Sequence, residues 1–120
     1  HFVNAQIDSV DSMQPKSEED QIIEYIVEII SQYFSLDIKR NTYNYQRLIL
    51  HLRSYLYRME TNDQFEEDNT DLINSLKDKY PEIYKCAKII SEYILKEKNV
   101  NSSNDEVLYL MLHIRRVTNT

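Results

Sequence analysis

Two histidines of this chain stand in one repeated context. Leu48-Ile49-Leu50-His51-Leu52-Arg53 is echoed by Leu110-Met111-Leu112-His113-Ile114-Arg115, so two of the three histidines share a hexapeptide pattern. On a helix, Arg47 falls one turn before His51 and Arg58 two turns after it, while Arg116 follows His113 closely. Imidazole is largely neutral near pH 7, and its free ring nitrogen is a nucleophile. Beside arginines it can accept a phosphoryl group, whose oxygens the guanidinium groups hold by charge-assisted hydrogen bonds. Such chemistry needs no catalytic base and no metal in the chain, because a donor brings the activated phosphate. Arg53 falls about 160° round the helix from His51 and lies outside that cradle. Of the ten tyrosines, Tyr109, one turn before His113, is the one placed to join it.

Other chemistries fit less well. Either histidine alone reads as a packed residue at the edge of a core, with part of its ring reaching solvent. Packing, however, requires neither the same residue nor the same flanks twice. A metal pair lacks a third ligand, since no Asp, Glu or Cys lies three or four residues from either histidine. No serine or cysteine has the surroundings of an activated nucleophile. The lone cysteine, Cys86, is spaced with Ile83, Ala87 and Ile90 as a small buried thiol.

The elements that must position these residues are helices. The 120 residues include no glycine and only two prolines, which disfavours phosphate loops and nucleotide-binding parallel sheets. A net charge of −6 argues against a nucleic-acid surface. One cysteine forms no internal disulfide, no apolar run approaches a membrane span, and no signal-peptide pattern opens the sequence. These features point to a single cytoplasmic all-α domain that needs no cofactor.

The spacing predicts five helices in a compact antiparallel bundle. Ser17-Glu18-Glu19-Asp20 resembles a capping box, and Ile22, Ile23, Ile26, Ile29, Ile30, Tyr33 and Phe34 give the first helix its apolar side, to about Ser35. The His51 helix runs from about Tyr43 to Glu60 on the stripe Tyr45, Leu48, Ile49, Leu52, Leu56 and Met59. Thr61 to Asp71 reads as an acidic, mobile, solvated loop. Leu72 to Tyr80 forms a short helix that Pro81 interrupts, and a longer one follows over Tyr80 to Lys98, since proline suits the start of a helix. Ser103-Asn104-Asp105-Glu106 is a second capping box, before a last helix to about Val117.

Three motifs carry a family resemblance. They are Arg47 to Arg53, Lys79-Tyr80-Pro81-Glu82-Ile83-Tyr84-Lys85-Cys86-Ala87, and Asp105 to Ile114. Together they resemble, in order and spacing, a PTS regulation domain (PRD) of BglG-type antiterminators and related transcriptional activators. The resemblance implies reversible phosphorylation of His51 and His113, with the phosphocarrier HPr or a sugar-specific enzyme II B component as donor. It also implies a homodimer and no enzymatic activity. Arg47, Arg58 and Arg116 become the expected phosphate-supporting residues. A helical dimerisation module of a DNA-binding activator, with inert histidines, is the alternative.

First copies of the domain often carry Asp before the first histidine; Leu50 stands there, which resembles a second copy. His1-Phe2-Val3-Asn4-Ala5 looks like the end of a preceding copy's last helix, which makes His1 a further candidate phosphorylation site. Residues 1–16 are then a tail plus linker, residues 17–120 the domain, and any RNA- or DNA-binding part lies upstream.

Overall fold

The computed structural model describes residues 16–119, so the reading of His1 and most of its tail lies outside the described residues. Five helices make up the described chain: α1 (Glu18–Phe34), α2 (Tyr43–Thr61), α3 (Thr70–Lys79), α4 (Pro81–Lys98) and α5 (Asn104–Thr118). The fold is all-α, and the expected helices agree with the observed ones to within two residues at each end.

Local chemistry sets the boundaries. Ser17, Thr42 and Ser103 cap α1, α2 and α5, their hydroxyls accepting the backbone N–H of Asp20, Tyr45 and Glu106. Pro81 occupies the first turn of α4, where its missing N–H costs nothing. Without glycine, the chain closes α1, α2 and α4 with Ser35, Asn62 and Asn99 in the left-handed region, at φ of 52°, 57° and 57°. Asparagine tolerates that region better than most residues.

The core is built from the expected stripes. Ile22, Ile26 and Ile30 of α1 join Leu48, Leu52, Leu56 and Met59 of α2, Ile90 and Ile94 of α4, and Val107, Leu110 and Ile114 of α5. Each such burial contributes about 1.5–3 kcal/mol before the ordering entropy is charged against it. Cys86 is fully buried, and burial pushes its thiol up to about 12, so it is inert packing. Tyr55 is also fully buried, and its hydroxyl bonds Ser102 Oγ at 2.6 Å. Helix α5 packs against α2, α3 and α4, which brings the two histidine motifs together.

The acidic connection before α3 departs from expectation. It is largely exposed, yet it is tied to the start of α5. Gln64 Nε2 donates to the Asn101 carbonyl at 2.9 Å, and the Ser103 N–H donates to Gln64 Oε1 at 2.8 Å. Ser103 Oγ donates to the Phe65 carbonyl, and Asn69 Nδ2 donates to Asp105 Oδ1. Polar side chains and backbone groups, not apolar content, hold this segment.

Candidate functional site

His51 and His113 meet face to face where α2 crosses α5. Their ring centroids are 3.8 Å apart and their planes 19° from parallel. His51 is half-buried, as a residue on the shoulder of the α2 stripe should be. His113 is 8% exposed, deeper than the matching spacing suggested, because α5 is flanked by three helices where α2 is not. Both rings are expected on the rim of the core, partly reaching solvent or a partner chain; His51 reaches solvent, and His113 does so only marginally.

Tyr109 completes the cluster. Its hydroxyl lies 2.7 Å from His51 Nδ1, and its ring meets that of His113 edge-on with centroids 4.6 Å apart. Among the described residues, neither His51 Nε2 nor either nitrogen of His113 has a hydrogen-bond partner. Burial, followed by the positive charges of Arg47, Arg116 and Arg58, holds the His51 pKa below its ordinary value. Burial lowers that of His113 to about 4, helped by His51 and the same three arginines. Both imidazoles are neutral at pH 7, with lone pairs in a cationic field.

The three arginines expected near the histidines all act on them, but they are held differently. Arg58 is committed elsewhere. Its Nε and one Nη donate to the two oxygens of Glu106 at 2.7 and 2.9 Å, and the pair is buried, at 12% and 0% side-chain exposure. Its guanidinium packs on the rings of both Phe65 and Tyr109, 4.1 and 4.5 Å from their centroids, which are 5.8 Å from each other. Arg58 is thus not the exposed side chain its helical position suggested. Arg47 lies over the Tyr43 ring, and neither Arg47 nor Arg116 pairs with a carboxylate among the described residues. Arg53, on the opposite side of α2, bonds Glu19 and Asp20 of α1 and stays out of the site.

Glu106 is the residue that the sequence reading missed. As the fourth residue of a capping box it should turn back to the Ser103 N–H, but Gln64 takes that donor. The freed carboxylate accepts from Arg58 and, at 3.0 Å, from the Phe65 N–H. The one available signal was that Arg58 has no acidic residue three or four positions away on α2. Among the described residues, no group of three or more His, Cys, Asp or Glu is placed to hold a metal ion. No helix among them is long and apolar enough to cross a membrane.

Fold and site together define a helical domain built round a histidine pair contributed by two copies of one motif. The chain belongs to the PRD domain family, whose model matches residues 24–117. It is 29% identical over 117 residues to the transcription antiterminator LicT of Bacillus subtilis, covering 98% of this chain and 42% of that protein. It is 27% identical over 117 residues to the beta-glucoside operon antiterminator of Dickeya chrysanthemi, covering 98% of this chain and 41% of that protein. A further relative, the PtsGHI operon antiterminator of Bacillus subtilis, is 29% identical over 121 residues, covering 98% of this chain and 43% of that protein. The chain spans about two-fifths of the length of these curated relatives.

Proposed function

We propose that this domain is the regulatory part of a sugar-operon transcriptional antiterminator, controlled by reversible phosphorylation of His51 and His113. It is non-enzymatic: it accepts phosphoryl groups from HPr or an enzyme II B component in the cytoplasm and passes the change to an RNA-binding part through a homodimer. The observation that carries the reading is the stacked pair of neutral imidazoles in the field of three arginines. Neutral rings keep the lone pair that attacks phosphorus, and the positive field favours the incoming negative charge. Arg47 and Arg116 are the residues available to hold phosphate oxygens, since Glu106 holds Arg58.

Incubation with phosphoenolpyruvate, the phosphotransferase enzyme I and HPr, and separately with enzyme II B, tests this directly. The expected product is acid-labile phosphate on His51 and His113, lost site by site in His51→Ala and His113→Ala. A domain that takes no phosphate from either donor is a dimerisation module with inert histidines.

A further inference from the structure

Among the described residues, Tyr109 is the only one whose ring touches both histidines, and its hydroxyl occupies one of the two nitrogens of His51. We propose that Tyr109 is a positioning residue that directs phosphoryl transfer to Nε2 of His51 by keeping Nδ1 in a hydrogen bond. The proposal rests on the reading of His51 as an acceptor.

Space alone favours Nε2. A phosphorus bonded to Nδ1 would have to occupy the ground now held by the Tyr109 oxygen, 2.7 Å from that nitrogen. Nε2 has no such neighbour among the described residues. The hydroxyl is also firmly held. The Tyr109 ring lies under the Arg58 guanidinium, which two bonds pin to the fully buried Glu106 and which also lies over the Phe65 ring. His113 packs against the same ring. Four residues thus fix where the hydroxyl points.

Tyrosine also suits the proton inventory, because its hydroxyl both accepts and donates. Before transfer, Nδ1–H donates to the Tyr109 oxygen and the Nε2 lone pair is free. That pair forms the new N–P bond as the N–P bond of the donor's phosphohistidine breaks, and the breaking pair returns to the donor's ring nitrogen. His51 is then briefly a cation among arginines, and it releases its Nδ1 proton to solvent. This balances the proton that the freed donor imidazole takes up. The Tyr109 hydroxyl turns to donate to the bare Nδ1, leaving a neutral phospho-imidazole that is still held in place. Phenylalanine would keep the packing and lose both halves of this role.

The test uses protein labelled with ¹⁵N-histidine, with His51 resonances assigned through His51→Gln. Wild type, Tyr109→Phe and the exposed control Tyr57→Phe are compared before and after phosphorylation by phosphoenolpyruvate, enzyme I and HPr. Wild type and Tyr57→Phe are expected to carry the His51 phosphate on Nε2 alone. In Tyr109→Phe the His51 Nδ1 resonance moves before phosphorylation, and a substantial fraction of Nδ1-phosphohistidine appears after it. Nδ1-phosphohistidine at His51 in the wild type overturns the proposal, whether or not the variants fold. So does a Tyr109→Phe protein with an unmoved Nδ1 resonance or an unchanged isomer pattern. Absence of phosphate on His51 in every form means that the acceptor reading has failed and the proposal with it. That signature differs from transfer to the wrong nitrogen.

Discussion

The His51 and His113 rings stack with centroids 3.8 Å apart. At that distance neither ring can gain a proton or a phosphoryl group without the other feeling the charge. The two rings are electrostatically coupled, with His51 nearer the surface and His113 behind it.

Acid should therefore unfold the domain by way of this pair. The folded His113 pKa lies near 4, below the ordinary value of 6.5, so the unfolded chain binds more protons between those limits. Stability is complete above pH 6.5 and is lost as the pH falls towards 4, by on the order of 3 kcal/mol for this group. His113→Gln should remove most of that slope. Urea midpoints measured from pH 4 to 7 check it, and a variant with the wild-type slope would place the acid sensitivity in the carboxylates.

The buried pair of Arg58 and Glu106 should matter more to stability than the other charges among the described residues. Truncating one member strands the other, which costs about 3–5 kcal/mol. This replaces the value of about 0.5 kcal/mol or less that an exposed arginine on α2 would carry. Arg58→Ala and Glu106→Ala should each show the large loss in denaturant titrations, and together less than the sum.

Arg47→Ala and Arg53→Ala should part company in phosphorylation assays. Removal of a charge-assisted hydrogen bond on the order of 1.5 kcal/mol would shorten the phosphohistidine lifetime at His51 roughly tenfold. Arg53 already bonds Glu19 and Asp20, away from the site, so its loss should leave that lifetime unchanged. Equal effects in the two variants would point to general charge instead of a local cradle.

Phosphorylation should alter self-association. Each phosphoryl group adds roughly −1.5 to −2 charges to a chain whose net charge is already −6. Sedimentation of wild type and of His51→Asp/His113→Asp at several salt concentrations measures the shift. Association constants identical throughout would separate dimerisation from the histidines.

Much of this was legible in the sequence because it is local. Ser17, Ser103 and Pro81 mark helix starts through bonds made within one turn, and the apolar stripes of α2 and α5 follow from spacing alone. The repeated hexapeptide marked both histidines, and a position one turn before His113 marked Tyr109. The role of Glu106 was not legible, because a capping-box glutamate has the same sequence signature whether it turns back to Ser103 or out to Arg58. That choice was made by Gln64, a residue in the connection that composition alone called loose. The depth of His113 was equally hidden, since a shoulder position says nothing of how many neighbouring helices flank it.

The ties between residues 64–69 and the start of α5 give this stretch a cooperative character that its exposure conceals. The Phe65 amide donates to the Glu106 carboxylate and the Ser103 amide donates to Gln64. Neither amide hydrogen can exchange with solvent unless the other end of its bond lets go. Both should exchange in step with the first turn of α5, slower than loop amides usually do. A segment with the composition of a linker thus belongs to the same unfolding unit as the helix that carries His113.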